Sequence, residues 1–190
     1  HGHVGSLGKS LEEVDLRGAK SIEEVIERIR KHDTGKMWIL GRGWDQNLWD
    51  EKKMPTHHAL SQAFPDQPCW LRRIDGHAGW GNAALLSIAK IDAKTKAPKG
   101  GEILRHENGE PTGILVDAAM DLVSPPKPTS GDIKRRILSA QEHLVKRGIT
   151  GVHDMGISSR EDAIYRKLAA SEHPDESLKI RILSYAEKTW

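Results

Sequence analysis

The chain has 190 residues, with 29 basic and 27 acidic side chains and a formal charge of +2. Charges of both signs are interspersed, which is not the pattern of a polyanion-binding face, so we predict no nucleic-acid partner. No apolar run approaches the roughly 18 residues of a membrane-spanning helix, and no signal-peptide pattern opens the chain, so no membrane partner is expected. The single cysteine, Cys69, allows no internal disulfide, which favours a reducing, cytoplasmic setting.

Helix and strand patterns alternate along the first two thirds of the chain. Ser21 and Glu24 form a capping box ahead of an apolar stripe with helical spacing. Asn108-Gly109 is a strong hairpin signal, since both residues tolerate positive φ. In chain order, the predicted elements are a helix from Ser21, a buried strand at 37–40, a glycine-rich loop at 41–46, a short helix at 56–64, a strand at 69–74, a helix after Asn82 and a hairpin at 102–116.

A proline-rich linker at 124–128 separates this region from a simpler pattern. A helix from about 132 to 147 is followed by a short buried strand at 149–154, a helix from Ser159 and a strand at 178–185. Strands that alternate with helices indicate parallel β/α units.

The sequence opens with His1-Gly2-His3. In an extended segment, residues i and i+2 point the same way, so the two imidazoles can bind one metal ion. Taken alone, the pattern also fits a tag remnant or an accident of sequence.

Other polar and aromatic residues follow predicted strands, where pocket residues gather. His77 is either a substrate-contacting or acid/base residue, or a residue that fixes its loop. Trp44 is interpreted as an aromatic wall for an apolar substituent, with core packing as the alternative. His153 and Asp154 end a predicted strand and are expected to face a site.

Several residues are predicted to have no site role. His57 and His58 are adjacent on a helix, about 100° apart, and are interpreted as surface residues that do not chelate together. His106 has no companion in sequence and is expected to be exposed to solvent. Cys69 lies within an apolar strand and is predicted to be a core residue.

Five ordered blocks of the sequence resemble the amidohydrolase superfamily. The similarity is to its amidohydrolase 3 family, the YtcJ-like hydrolases that include N-substituted formamide deformylases. The blocks are His1-Gly2-His3-Val4-Gly5-Ser6 with the residues that follow to Ala19, then 38–46, 73–80, 109–117 and 151–156.

The resemblance implies an α/β fold containing part of a TIM-like (β/α)8 barrel, around its strands 1 to 3. Residues 1–20 would be the end of the first barrel strand and the following loop, 21–123 an inserted α+β subdomain, and 129–190 the β/α units of the second and third strands. It also implies a divalent metal ion, most simply zinc, with one or two ions in the full enzyme. His1 and His3 match the first-strand ligands, and the remaining ligands and the general base are expected outside this chain.

The resemblance further implies hydrolysis of a non-peptide C–N bond, in an amide or formamide, by metal-activated water. The expected partner is a small-molecule amide substrate, with Trp44, His77, His153 and Asp154 as substrate-binding residues. A homodimer is left open. The chain by itself is expected to be inactive, and the alternative is a non-catalytic α/β module that binds a small molecule or a partner.

Overall fold

A computed structural model describes residues 1–32 and 37–186 and shows a mixed α/β protein. The chain forms two units: a first unit of residues 1–12 with 126–190, and a second unit of residues 13–125. The helices and strands, in chain order, are α1 (Val4–Glu12), β1 (Val14–Asp15), α2 (Ile22–Lys31), β2 (Ile39–Trp44), α3 (His57–Ala63), β3 (Cys69–Arg73), β4 (Ala78–Gly81), α4 (Ala83–Ile88), β5 (Gly101–Arg105), β6 (Pro111–Asp117), α5 (Ser130–Val145), β7 (Gly151–Ile157), α6 (Ser159–Ala169) and β8 (Arg181–Ala186).

The second unit is built on a mixed sheet with strand order β1-β2-β3-β4-β6-β5. The pairs β1–β2 and β2–β3 are parallel, and the remaining pairs are antiparallel. The predicted hairpin is confirmed as β5 and β6. One core cluster holds the buried indoles of Trp44, Trp49 and Trp80, and another gathers around Trp70 and Leu115.

The predicted boundary between a strand at 37–40 and a glycine loop at 41–46 was wrong. The strand β2 begins at Ile39 and continues through both glycines to Trp44, while Met37 is 79% exposed. Gly43 does have the special backbone angle that was expected, with φ of 106°. The register shifts between Arg42 and Trp44, so the glycine allows an irregularity within the strand rather than ending it.

The first unit contains three neighbouring extended segments. β7 pairs in parallel with β8, and Gly2 forms a parallel bridge with Asp154 of β7. The buried cluster of this unit includes Val4 from α1, Ile137 from α5 and Leu168 from α6. Helix α1 is also tied to α5 by Glu12, whose carboxylate accepts from Arg135 and Arg136 at 2.9 and 2.8 Å.

The strand predicted at 149–154 exists, but it is later and less buried than expected. It runs from Gly151 to Ile157, with buried and exposed side chains mixed along it. The helix before it begins at Ser130, where Thr129 and Asp132 form a capping box. Among the described residues, no helix combines the length and the apolar character needed to cross a lipid bilayer.

Candidate functional site

The His1-Gly2-His3 segment is extended and is held against β7 by backbone hydrogen bonds. The Gly2 N–H donates to the His153 carbonyl at 2.7 Å, and the Met155 N–H donates to the Gly2 carbonyl at 3.0 Å. Because side chains alternate along an extended segment, His1 and His3 lie on one face of this sheet and position 2 lies on the other. The two imidazoles therefore lie on the same side of the sheet, as their spacing predicted.

The His3 ring is oriented by a backbone carbonyl. Its Nδ1 lies 2.9 Å from the Met155 oxygen. A carbonyl oxygen can only accept, so Nδ1 carries the proton and Nε2 of the neutral ring keeps its lone pair. The His1 ring lies edge-on to it, with centroids 5.9 Å apart. A metal-ligating histidine usually has this carbonyl contact on its other nitrogen, so His3 is oriented as a ligand of a divalent ion would be.

His153 shares the face that carries His1 and His3. Parallel strands in register point their side chains the same way, so Gly2 and Asp154 share one side while His153 points to the opposite side. The His153 ring is stacked on Tyr185 of β8 with centroids 5.8 Å apart, and its Nδ1 lies 3.1 Å from the phenol oxygen. Sequence reasoning missed Tyr185, although its alternation with Leu183 in β8 was a usable signal.

Asp154 does not lie on this face, contrary to the expectation that His153 and Asp154 would both face a site. Adjacent strand residues point to opposite sides, and Asp154 is 2% exposed. Its carboxylate accepts the Val4 N–H at 2.8 Å and the Tyr165 O–H at 2.6 Å. Asp154 thus fixes the start of α1, directly after His3.

A cavity of about 310 Å³ lies beside the His-Gly-His segment in the first unit. The residues that line it include His1, His3, Val152 and His153. Leu144 and other apolar side chains complete the walls. The histidines therefore border a space with both polar and apolar walls.

In the second unit, His77 forms a pair with Asp117. The His77 Nδ1 lies 2.7 Å from the Asp117 carboxylate, and the two side chains are 70% and 49% exposed. The Asp117 N–H also donates to the His77 carbonyl at 3.0 Å. Asp117 has φ of 47°, a region that non-glycine residues rarely adopt. The pair leaves the His77 Nε2 directed away from the carboxylate.

Trp44 is a core residue of the second unit. It is fully buried, and its indole N–H donates to the Leu71 carbonyl at 2.8 Å. It packs against the rings of Trp49 and Trp80 with centroid distances of 6.0 Å. This is the packing alternative of the sequence interpretation, and the ring presents no open face for a substrate. A substrate contact at Trp44 stays a prediction that its burial does not support.

Cys69 is likewise buried in the second unit, as predicted. Burial raises the pKa of its thiol to about 12. The thiol is therefore protonated near neutral pH and is a poor nucleophile.

His58 is exposed, as predicted, and His57 and His106 are half-buried, but the prediction that these histidines do not come together was wrong. One ring nitrogen from each of the three lies within 4.8 Å of those of the other two. The His57 and His58 rings are stacked with centroids 4.2 Å apart, and the His106 ring lies 5.6 Å from that of His58. Rotation about the side-chain bonds offsets the 100° between adjacent helix positions, and His106 arrives from the β5–β6 hairpin.

The predicted site residues thus fall into two groups. One face of the sheet in the first unit carries His1, His3 and His153, and the opposite face carries Asp154. Trp44 and His77 belong to the second unit. A shared cavity for all of them stays a prediction.

The sequence matches the family model described as "Amidohydrolase family" over residues 1–183. The chain belongs to this family. It is 37% identical over 161 residues to Protein LONG AFTER FAR-RED 3 of Arabidopsis thaliana, covering 82% of this chain and 27% of that protein. It is 29% identical over 184 residues to the N-substituted formamide deformylase of Arthrobacter pascens, covering 90% of this chain and 34% of that enzyme.

A similar solved structure is that of an uncharacterized metal-dependent hydrolase from Pyrococcus furiosus. The two share 29% sequence identity with a TM-score of 0.70, over 98% of this chain and 36% of that one. The amidohydrolase-family chain therefore spans about a third of the length of these relatives. The family resemblance read from the five sequence blocks is confirmed.

Proposed function

We propose that this amidohydrolase-family chain is part of a metal-dependent hydrolase in which His1 and His3 bind a divalent ion. The observation that carries the proposal is the placement of His1, His3 and His153 on one sheet face, with the His3 Nδ1 held by the Met155 carbonyl at 2.9 Å. The solved metal-dependent hydrolase of similar fold supports the same chemistry.

Zinc is the proposed ion, because imidazole nitrogens suit zinc among the common divalent metals. When bound, it supplies a positive charge that lowers the pKa of a water molecule and polarises a carbonyl oxygen. Two histidines are fewer than the three protein ligands of most catalytic zinc sites. We therefore propose that further ligands and the general base come from parts of the enzyme outside this chain.

The residues of this chain have three roles in the proposed site. The Met155 carbonyl keeps the His3 Nε2 unprotonated and turned away from the backbone. Asp154 anchors the backbone just after His3 through the Val4 N–H. His153, stacked on Tyr185, offers a polar edge on the same face for orienting a substrate.

The fold proposed for the complete enzyme is a TIM-like barrel, with the His-Gly-His segment, β7 and β8 as its first three strands. Their parallel order supports this, with helices packed on the Asp154 side of the sheet. On the other side, Leu183 and Tyr185 are 53% and 43% exposed. A barrel interior is normally filled by side chains from all strands, which would cover these residues.

The proposed reaction is hydrolysis of a non-peptide C–N bond in a small amide. The name of the Arthrobacter relative, an N-substituted formamide deformylase, supports this choice.

The test compares His3→Ala with His173→Ala in the complete enzyme. His173 is an exposed histidine of the same unit and serves as the matched control. His3→Ala should lower the amide turnover number by about two orders of magnitude or more and release bound zinc, since a metal ligand is lost. His173→Ala should change neither quantity. Near-normal turnover with full zinc content in His3→Ala would reject the proposed site.

A further inference from the structure

The second unit contains a histidine cluster, formed by His57, His58 and His106, that has no part in the function proposed above. His57 and His58 are the first two residues of α3, and His106 directly follows β5. One ring nitrogen of each lies within 4.8 Å of those of the other two. Nitrogens bound to one tetrahedral zinc at about 2.0–2.1 Å are about 3.4 Å apart, so small ring rotations bring the three into range.

The backbone around the histidine cluster brings the hairpin close to α3. The His106 N–H donates to the Glu110 carbonyl at 2.9 Å. This hydrogen bond closes the hairpin turn and fixes the position of the His106 backbone. Gly113 of β6 has φ of 96°, and a Cβ atom added there would lie 2.8 Å from the His57 Cβ. Only glycine permits this approach, so the contact between hairpin and helix start is a built feature of the unit.

Hydrogen bonds orient the His57 ring with a lone pair available. The Ser61 hydroxyl has one proton and donates it to the His57 carbonyl at 2.8 Å. The same oxygen lies 3.1 Å from the His57 Nδ1, which must therefore be the donor in that contact. Nε2 of the neutral ring is then an acceptor without a proton. This contact is of the kind that orients a metal-ligating histidine through its other nitrogen.

The other two rings also leave nitrogens for a ligand. The Thr56 hydroxyl lies 3.1 Å from the His58 Nδ1 and can accept its proton, which frees Nε2. The His106 Nε2 is buried and has no hydrogen-bond partner among the described residues. A buried ring nitrogen without a partner costs free energy, and a bound cation or a water molecule would remove that cost.

The donor chemistry of the cluster favours a transition-metal ion, because imidazole nitrogens are among the usual ligands of such ions. The cluster also borders an open cavity of about 950 Å³ whose rim includes Asp92 and Glu107.

We propose that His57, His58 and His106 form a binding site for a zinc-like divalent transition-metal ion that fastens the β5–β6 hairpin to the start of α3. The fourth position faces the cavity and is open to water or to a small ligand. Hard cations such as Mg²⁺ prefer oxygen ligands and should not compete.

The test uses zinc titration of the complete chain in a His1→Ala/His3→Ala background, which removes the other pair of histidine ligands. This background should still bind about one zinc per chain, and its thermal midpoint should rise when zinc is added. Adding His58→Gln should weaken the zinc Kd at least about tenfold and abolish the rise. His58 is exposed, so this change removes little buried surface.

Two controls make the result decisive. His173→Gln in the same background should leave the zinc Kd unchanged, and replacing zinc by Mg²⁺ should give no thermal shift. A background variant that binds no zinc would overturn the proposal, as would an unchanged zinc Kd in both His58→Gln and His106→Gln. Because His1 and His3 are absent from every sample, a change in the zinc Kd between the background and His58→Gln reports on the histidine cluster and not on the site proposed above.

Discussion

At the scale of single residues, side-chain alternation decides which of the predicted site residues can meet a ligand. His153 and Asp154 were predicted together because they end one strand, but successive side chains point to opposite faces. The structure turns His153 toward the face of His1 and His3, and Asp154 toward buried donors. The two-residue alternation of side chains along a strand could be inferred from the sequence. The contact between Tyr165 and Asp154 could not, because no local sequence pattern encodes it.

The first prediction concerns Asp154. Asp154→Ala would leave the Val4 N–H and the Tyr165 O–H buried without an acceptor. Each unsatisfied group costs roughly 1–3 kcal/mol, so the free energy of unfolding should fall by about 2–6 kcal/mol. Urea unfolding of the two proteins measures this difference.

Tyr165→Phe is the matched control for Asp154. It removes only one of the two hydrogen bonds, so it should cost about 1 kcal/mol, less than Asp154→Ala. If Asp154→Ala left the urea midpoint unchanged and raised only the substrate KM, Asp154 would be a substrate-binding residue as first expected.

At the scale of elements, local patterns predicted most helices and strands, while contacts between elements escaped them. The hairpin at Asn108-Gly109 and the helices capped by Ser21 and Asn82 follow from short-range chemistry. The glycines of β2 were taken for a loop because glycine is ordinarily a strand breaker, whereas parallel pairing with β3 keeps this segment extended. The histidine cluster was missed because its third member comes from a distant hairpin.

The second prediction concerns how the free energy of unfolding depends on pH through His57, at the start of α3. The folded His57 has a lowered pKa, caused first by burial and then by His58 and His106. The unfolded chain therefore takes up a proton more readily. The free energy of unfolding should be fully retained above about pH 6.5 and should fall as the pH is lowered through the folded pKa.

The measurement is urea unfolding of the metal-free protein at about pH 8 and about pH 5.5. His57→Gln cannot take up this proton, so its loss of stability between the two pH values should be smaller than that of the unsubstituted chain. His173→Gln, at an exposed histidine, should behave like the unsubstituted chain. An equal pH dependence with and without His57 would show that burial at α3 does not perturb its titration.

At the scale of the whole molecule, the chain is an amidohydrolase-family segment that carries two separate sets of histidines in two units. The family could be inferred from the sequence because its blocks recur in order, and the His-Gly-His spacing predicted the shared face of His1 and His3. The role of Trp44 could not be decided, because a tryptophan next to glycines suits a pocket wall and a packed core equally. The burial of Trp44 favours packing.

The central claim is that His1 and His3 hold the metal ion of a hydrolase. Anomalous diffraction at the zinc absorption edge, from crystals of the complete enzyme loaded with zinc, tests it most directly. We expect a peak about 2.0–2.1 Å from the His3 Nε2 and from a ring nitrogen of His1. A zinc-loaded enzyme with no peak beside these two rings would contradict the claim.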